Sequence, residues 1–308
     1  MSHHSSTRGQ DNSSQPTMPS FTPLAAEAAG KIASYAILDD PNHLAVEIGQ
    51  AEHRIGLVNS WQIQQGSRVL EIGCGQGTCT AVLAEAVGPE GHVDAVDPGP
   101  PDYGAPVTLA QAQAHLSAGP VGDRITWYHA EPVQFLAENP GTRWDFVVLA
   151  HCIWYFDGPD TLGEMLAALR GRAAGLLVAE YALTARERAA VPHVMAAVAR
   201  AALEAHNKAS EANIRCLLGP LSIKDAAARG GWALDKEEVH VPGEALLDGS
   251  WETGTVKSRW FLEEIDKYIT DVTLKTTLLS AREAVVGAVG LLNGERVRTM
   301  DVWVSRFV

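Results

Sequence analysis

Residues 69–77 read VLEIGCGQG, a short apolar run that breaks into glycines at every second position, Gly73, Gly75 and Gly77. Residues 67–72 (SRVLEI) have the length and character of a buried strand, and residues 78–87 (TCTAVLAEAV) read as a helix closed by Gly88 and Pro89. A glycine-rich turn between strand and helix brings backbone close to a ligand with no Cβ in the way. The first N–H groups of the helix also lack intrahelical partners there.

Downstream, residues 92–96 (HVDAV) form a second buried strand ending at Asp97, 20 residues after Gly77. A carboxylate in that place accepts both hydroxyl protons of a ribose, each charged hydrogen bond contributing about 1.5 to 3 kcal/mol. Residues 98–106 are too rich in Pro and Gly to be regular. The pattern then predicts a helix over 109–117, a strand over 124–129, a short helix over 132–138 and a fourth strand over 144–150. A helix over 161–174, with Asp160 as its N-cap, and a fifth strand over 175–180 follow. Strands alternating with helices imply an α/β fold, a Rossmann-like doubly wound parallel sheet whose ligands lie at the carboxyl ends of the strands. Upstream, helical spacing over 24–38 and 45–61 places two helices before the first strand, the second carrying Glu52, His53 and Arg54 on a polar side. Beyond residue 180 the spacing predicts helices over 186–206 and 222–229 and a sixth strand over 232–241. Further helices fall over 257–270 and 274–292, and a last strand over 297–307.

The glycine spacing is GxGxG, whereas dinucleotide enzymes use GxGxxG, and Glu71 directly ahead of the turn would repel a diphosphate. A carboxylate is instead at ease beside a zwitterionic amino acid and a sulfonium cation. Through VLEIGCGQG and VDAVD (residues 93–97) the chain resembles the class I S-adenosylmethionine-dependent methyltransferases. The resemblance covers residues 66–180, extends loosely to 222–241 and 297–308, and implies a seven-stranded sheet whose last strand is antiparallel. It implies that Glu71, Gly73, Cys74, Gly75 and Gln76 hold the methionine part of the cofactor and that Asp97 holds the ribose. Pro98 would flank the adenine. The stretch His129, Ala130, Glu131 resembles the family's adenine-edge motif with His129 where Asp is usual, and the Ala130 N–H is the expected contact. Ala150 and His151 fall where the family lines the passage from cofactor to substrate.

His151 is the first candidate for a general base; the alternative is a histidine packed at a strand end. Trp154 and Tyr155 form either an aromatic wall for a planar substrate or the packing of a helix start. Tyr35 lies either over the sulfonium as a cation–π partner or in the core. His193, on the Ala-rich helix, is either a substrate contact in a cap or merely exposed. The adenine- and glutamine-methylating type places an (Asn or Asp)-Pro-Pro-(Tyr or Phe) turn after the fourth strand, where this chain has AHCI (residues 150–153); PPDY at 100–103 follows the second strand instead. The metal-dependent catechol type needs acidic ligands at the fourth strand's end, where this sequence has none, so no metal is expected.

The chain has 308 residues, with 24 Lys plus Arg against 37 Asp plus Glu and a formal net charge of −13. That charge opposes a phosphate backbone, so no nucleic-acid partner is expected. No apolar run reaches the roughly 18 residues of a membrane span. Four cysteines with neither a CxxC pair nor dense spacing fit reduced thiols and a cytoplasmic location. The expected organisation is a disordered tail over 1–20, an N-terminal helical segment over 21–64, the cofactor-binding core over 65–183 and a helical cap over 184–221. The rest of the sheet comes from 222–241 and 297–308, and a helical insertion over 242–296 adds to the cap. The expected function is methyl transfer from S-adenosylmethionine, leaving S-adenosylhomocysteine, to a small natural-product-like molecule of secondary metabolism. A hydroxyl acceptor comes first, with nitrogen or carbon behind. The alternatives are a cyclisation or rearrangement that uses the bound sulfonium without methylating, and a non-catalytic partner subunit; the oligomeric state is open.

Overall fold

The computed structural model describes residues 21–38, 40–207, 210 and 212–308. The tail expected over 1–20 lies outside the described residues. Seven strands, β1 (Arg68–Ile72), β2 (His92–Asp97), β3 (Ile125–His129), β4 (Trp144–Ala150), β5 (Ala173–Tyr181), β6 (Leu234–His240) and β7 (Val302–Phe307), form one sheet in the order β3-β2-β1-β4-β5-β7-β6. β1 to β5 are parallel, and β7 runs antiparallel between β5 and β6, as the resemblance implies. The order reverses between β1 and β4. The connections that leave their carboxyl ends therefore pass to opposite faces of the sheet, to the helices Thr78–Val87 and Pro159–Leu169, and open the crevice in which a doubly wound sheet binds its ligands.

The helices around the sheet are α1 (Ala28–Ala33), α2 (Pro41–Trp61), α3 (Thr78–Val87), α4 (Leu109–Ser117), α5 (Pro132–Glu138), α6 (Pro159–Leu169), α7 (Val191–Glu204), α8 (Pro220–Arg229), α9 (Asp248–Lys257), α10 (Arg259–Tyr268) and α11 (Val272–Gly290). Alternation along each strand divides the core into two layers. Val69, Val93, Val148, Leu177 and Val304 pack with α2 and α3, while Leu70, Val96, Leu149, Val178 and Trp303 pack with α6 and α8. Trp61 closes the first layer, its indole N–H donating to the Ser305 carbonyl at 3.1 Å. A third cluster, including Leu203, Phe261, Ile265, Leu278 and Val285, joins α7 to α9, α10 and α11 above the strand ends.

Some expected boundaries move, for identifiable reasons. The helix expected over 24–38 is regular only at Ala28–Ala33, because Tyr35 and Ala36 donate to Ile32 and Ala33, three residues back, and tighten the chain into turns. The strand expected over 297–307 begins at Val302. Before it, the amides of Arg298, Met300 and Asp301 donate to Ala189, His193 and Thr184 and so dock the segment on the cap. The helix expected over 186–206 starts at Val191, with Pro192 in its first turn. The spacing missed α9, which ends at Lys257, and Ser258 separates it from α10.

Candidate active site

The turn after β1 is left-handed at each glycine. At Gly73 (φ +73°) a Cβ would sit 2.4 Å from the Cys152 Cβ, so that side of the turn is packed shut against the segment after β4. At Gly75 (φ +53°) a Cβ would meet nothing within 4 Å; this glycine borders open space. The Gly75 N–H donates to Asp97 Oδ2 at 2.7 Å, and the Gly99 N–H to Oδ1 at 2.8 Å. The half-buried carboxylate at the end of β2 is thus clamped to the turn after β1, and Gln113 of α4 donates to the Gly75 carbonyl at 2.9 Å.

Glu71 points from β1 into the layer under α3 and is 1% exposed. Burial pushes its carboxyl up to about 7, against the opposing pull of hydrogen bonds from Thr80 and Cys79 and the charge of Arg54. The Thr80 hydroxyl donates to it at 2.5 Å.

Across the switch point, at the ends of β4 and β5, lies a buried polar cluster. His151 follows β4 with φ +54°, a left-handed conformation that costs a non-glycine residue of order 1 kcal/mol and persists only where surroundings enforce it. Its amide donates to the Ala179 carbonyl at 2.9 Å. Its ring is held from three sides. Nε2 lies 2.8 Å from Nε2 of His53 on α2, Nδ1 lies 3.6 Å from Glu180 Oε1, and the Tyr181 ring stacks at a centroid distance of 4.6 Å. The Glu180 oxygens accept the backbone N–H groups of Ile153 and Tyr181, at 3.1 and 3.0 Å. The Tyr181 hydroxyl donates to Asp248 of α9 at 2.7 Å. Burial, then the neighbouring charge of His151, holds His53 well below the ordinary imidazole range.

A cleft of about 410 Å³ runs beside the turn between residues 32–37, α2, α4 and α9. Ile37, Val46, Ala51, Leu116 and Trp251 give it an apolar wall, and residues 76–78 its edge at the turn; neither Asp97 nor His151 lines it. Glu47 is the acidic group in that wall, its carboxyl raised by burial against the pull of Arg54 and His43. Among the described residues, no group of three His, Cys, Asp or Glu side chains could hold a metal ion, and no helix is long and apolar enough to cross a membrane.

The family model for the methyltransferase domain matches residues 47–237, well over half of the chain. The chain belongs to the methyltransferase-domain family. It is 29% identical over 239 residues to the methyltransferase phomM′ of Diaporthe leptostromiformis, across 64% of this chain and 61% of that relative. It is 28% identical over 283 residues to phomM of the same organism, across 76% of this chain and 71% of the relative. A cyclopropane-fatty-acyl-phospholipid synthase-like protein from Lactobacillus casei has a similar structure, with a TM-score of 0.82 at 29% identity, covering 92% of this chain and 100% of that one.

Within this methyltransferase fold the expected residues take different places. Gly73, Gly75 and Asp97 come together, with Cys74 buried beneath the turn and Gln76 exposed above it. Pro98 and Glu131 are exposed beyond the ends of β2 and β3, His129 is exposed as the last residue of β3, and Ala150 sits half-buried at the end of β4. The Ala130 N–H, the contact expected for an adenine edge, donates to the Asp97 carbonyl at 3.2 Å. The Tyr35 hydroxyl donates to Glu85, seven residues along α3 and thus about 10 Å from its start, so the tyrosine is tied to the far part of that helix. Trp154 is buried, with its indole N–H on the Leu218 carbonyl at 3.0 Å, whereas Tyr155 is 45% exposed. His193 is fully enclosed, and its Nδ1 accepts the Met300 N–H at 3.0 Å. Sequence reasoning missed His53 as a site residue, along with Glu180, Tyr181 and Asp248. Glu180 and Tyr181 end β5, and the rule that ligands gather at strand ends would have found them. Nothing in the local pattern pairs His53 with His151, 98 residues away.

Proposed function

We propose that this protein binds S-adenosylmethionine at the carboxyl ends of β1 and β2 and methylates a hydroxyl of a small organic acceptor, the proton being taken by the imidazole pair His53 and His151. The carrying observation is the clamp between Gly75 and Asp97. A carboxylate offers about four acceptor positions and two are used by backbone N–H groups, which leaves the others for ribose hydroxyls. The open side of Gly75 gives the methionine part room against backbone, and Gly73, Cys74 and Gln76 complete the turn. Glu71, beneath the turn and tied to Thr80 of α3, holds the start of that helix against the methionine side. Pro98, His129, Ala130, Glu131 and Ala150 border the adenine side in this reading. S-adenosylmethionine supplies an electrophilic methyl on a sulfonium and leaves as S-adenosylhomocysteine.

The chain's own part is to exclude water, hold the acceptor near the methyl and take its proton. The cap of residues 184–221 and 242–296 supplies the enclosure, and the strained position of His151 at the switch point holds an imidazole pair at the passage between the two sites. Tyr181 then borders the acceptor side, and Trp154 and His193, enclosed behind it, support its ring rather than carry the chemistry. The net charge of −13 supports a small molecule over a nucleic acid, and four free cysteines support a reducing, cytoplasmic setting. Calorimetric titration with S-adenosylmethionine, with NADH as control, tests the cofactor; release of S-adenosylhomocysteine over a panel of phenols, alcohols and amines tests the acceptor. Binding of the first alone and release with hydroxyl compounds are expected. Absence of binding, or conversion of an acceptor without S-adenosylhomocysteine, overturns the reading.

A further inference from the structure

The contacts of the buried cluster bear on how its two histidines share their proton. The Nε2 atoms of His53 and His151 are 2.8 Å apart, so one proton lies between them, and one ring donates while the other accepts. With both rings neutral, a His151 donor would carry a lone pair on Nδ1, 3.6 Å from Glu180 Oε1, in a site where Glu180 is 1% exposed. Two acceptors would then face each other without water between them, an arrangement that low dielectric makes costly. If His53 is the donor, His151 carries its proton on Nδ1 and directs it at the carboxylate. The Glu180 oxygens are themselves oriented by the Ile153 and Tyr181 amides, so this electrostatic bias is built into the backbone. His53 is left with its lone pair on Nδ1, and among the described residues its ring bonds through Nε2.

We propose that His53 is the base that receives the acceptor's proton and that His151, held between Glu180 and His53, is the residue that positions it. The proposal rests on the methyl-transfer reading above and assigns roles within it. The acceptor O–H bond breaks and an N–H bond forms at His53 Nδ1. The electron pair left on oxygen makes the new C–O bond as the C–S bond breaks toward sulfur. The Nε2 proton of His53 moves to His151, or stays while Glu180 offsets the new charge through the His151 ring. Three further observations agree. Burial holds His53 neutral before the step, and the same burial makes its protonated form depend on the charge of Glu180 beyond His151. His151 pays backbone strain for a place in which both its nitrogens face protein groups, as suits an orienting residue. Val46, Gln50 and His53 follow i, i+4, i+7 spacing on α2, so His53 shares a helix side with Val46, which lines the apolar cleft, although His53 itself lies outside that lining.

The deciding experiment is a two-bond ¹H–¹⁵N correlation on the full chain labelled with ¹⁵N-histidine at neutral pH, the two rings being assigned from the His53→Gln and His151→Gln spectra. The Nε2–H tautomer at His53 with the Nδ1–H tautomer at His151 is expected; the reverse pair, or an Nδ1–H tautomer at His53, overturns the proposal. Neither result depends on turnover, so this test stays distinct from the titration that decides cofactor binding. With an acceptor from the panel, His53→Gln lowers kcat by about 10² to 10⁴ at unchanged S-adenosylmethionine affinity. His151→Gln gives a smaller loss and displaces the acidic limb of the pH–rate profile. Retained turnover in His53→Gln overturns the assignment as well.

Discussion

Asp97 closes the gap between two strand ends with one side chain, accepting from Gly75 and Gly99 while half of its acceptor capacity faces outward. Asp97→Ala is therefore expected to weaken S-adenosylmethionine binding by about 1.5 to 3 kcal/mol, ten to over a hundredfold, in a calorimetric titration. Unchanged affinity would place the ribose elsewhere. At Gly73 the φ of +73° and the Cys152 Cβ, 2.4 Å from a would-be Cβ, act together. Gly73→Ala should cost of order 1 to 3 kcal/mol in urea unfolding, and a neutral result would mean that the turn relaxes freely. The places of these two residues, at a tight turn and at a strand end, were legible in the sequence because they follow from local backbone chemistry. That the Ala130 N–H donates to the Asp97 carbonyl was not legible, because the partner belongs to another strand.

Among the elements, α2 carries more of the site than its place before the first strand suggests. It packs on α3, walls the cleft and brings His53 to His151. Its position depends on Gly49, where a Cβ would lie 2.5 Å from the backbone oxygen of Ala245, ahead of α9. Gly49→Ala should force the helix and that segment apart, destabilising the fold by about 1 to 3 kcal/mol and disturbing the His53–His151 contact. Thermal unfolding together with the histidine ¹⁵N spectrum checks both; a wild-type melting temperature with an unmoved spectrum would refute the close packing. Periodicity predicted this helix but not its partners, since an apolar stripe states that a face is buried and leaves open against what.

At the scale of the molecule, buried titratable groups set opposing pH dependences. Burial lowers His193 from the ordinary 6.5 to about 4, against the opposing pull of Asp248, so between those values the unfolded chain binds more protons. That contribution to stability is complete above pH 6.5 and is lost as pH falls toward 4, a change of about 3 kcal/mol. Glu71 runs the other way: with its carboxyl raised from 4.5 to about 7, the folded chain binds more protons, and stability is lost as pH rises through that window. The two offset each other between about pH 4.5 and 6.5. In His193→Asn, urea midpoints should fall less on acidification from pH 6.5 to 4 than in the parent chain. Parallel pH profiles would show that His193 is not the group responsible.

The sequence by itself determined the α/β alternation, the glycine-rich turn with the carboxylate that ends the next strand, and the family, because each is written in a short stretch with a period or spacing of its own. Only the tertiary structure decided that β7 begins at Val302 after docking on the cap, that His193 holds the Met300 amide, and that His53, His151 and Glu180 form one cluster. Those facts depend on groups 98 and 107 residues apart in the chain meeting in space. Such meetings are set by how whole layers pack, and no local pattern encodes which layers those are.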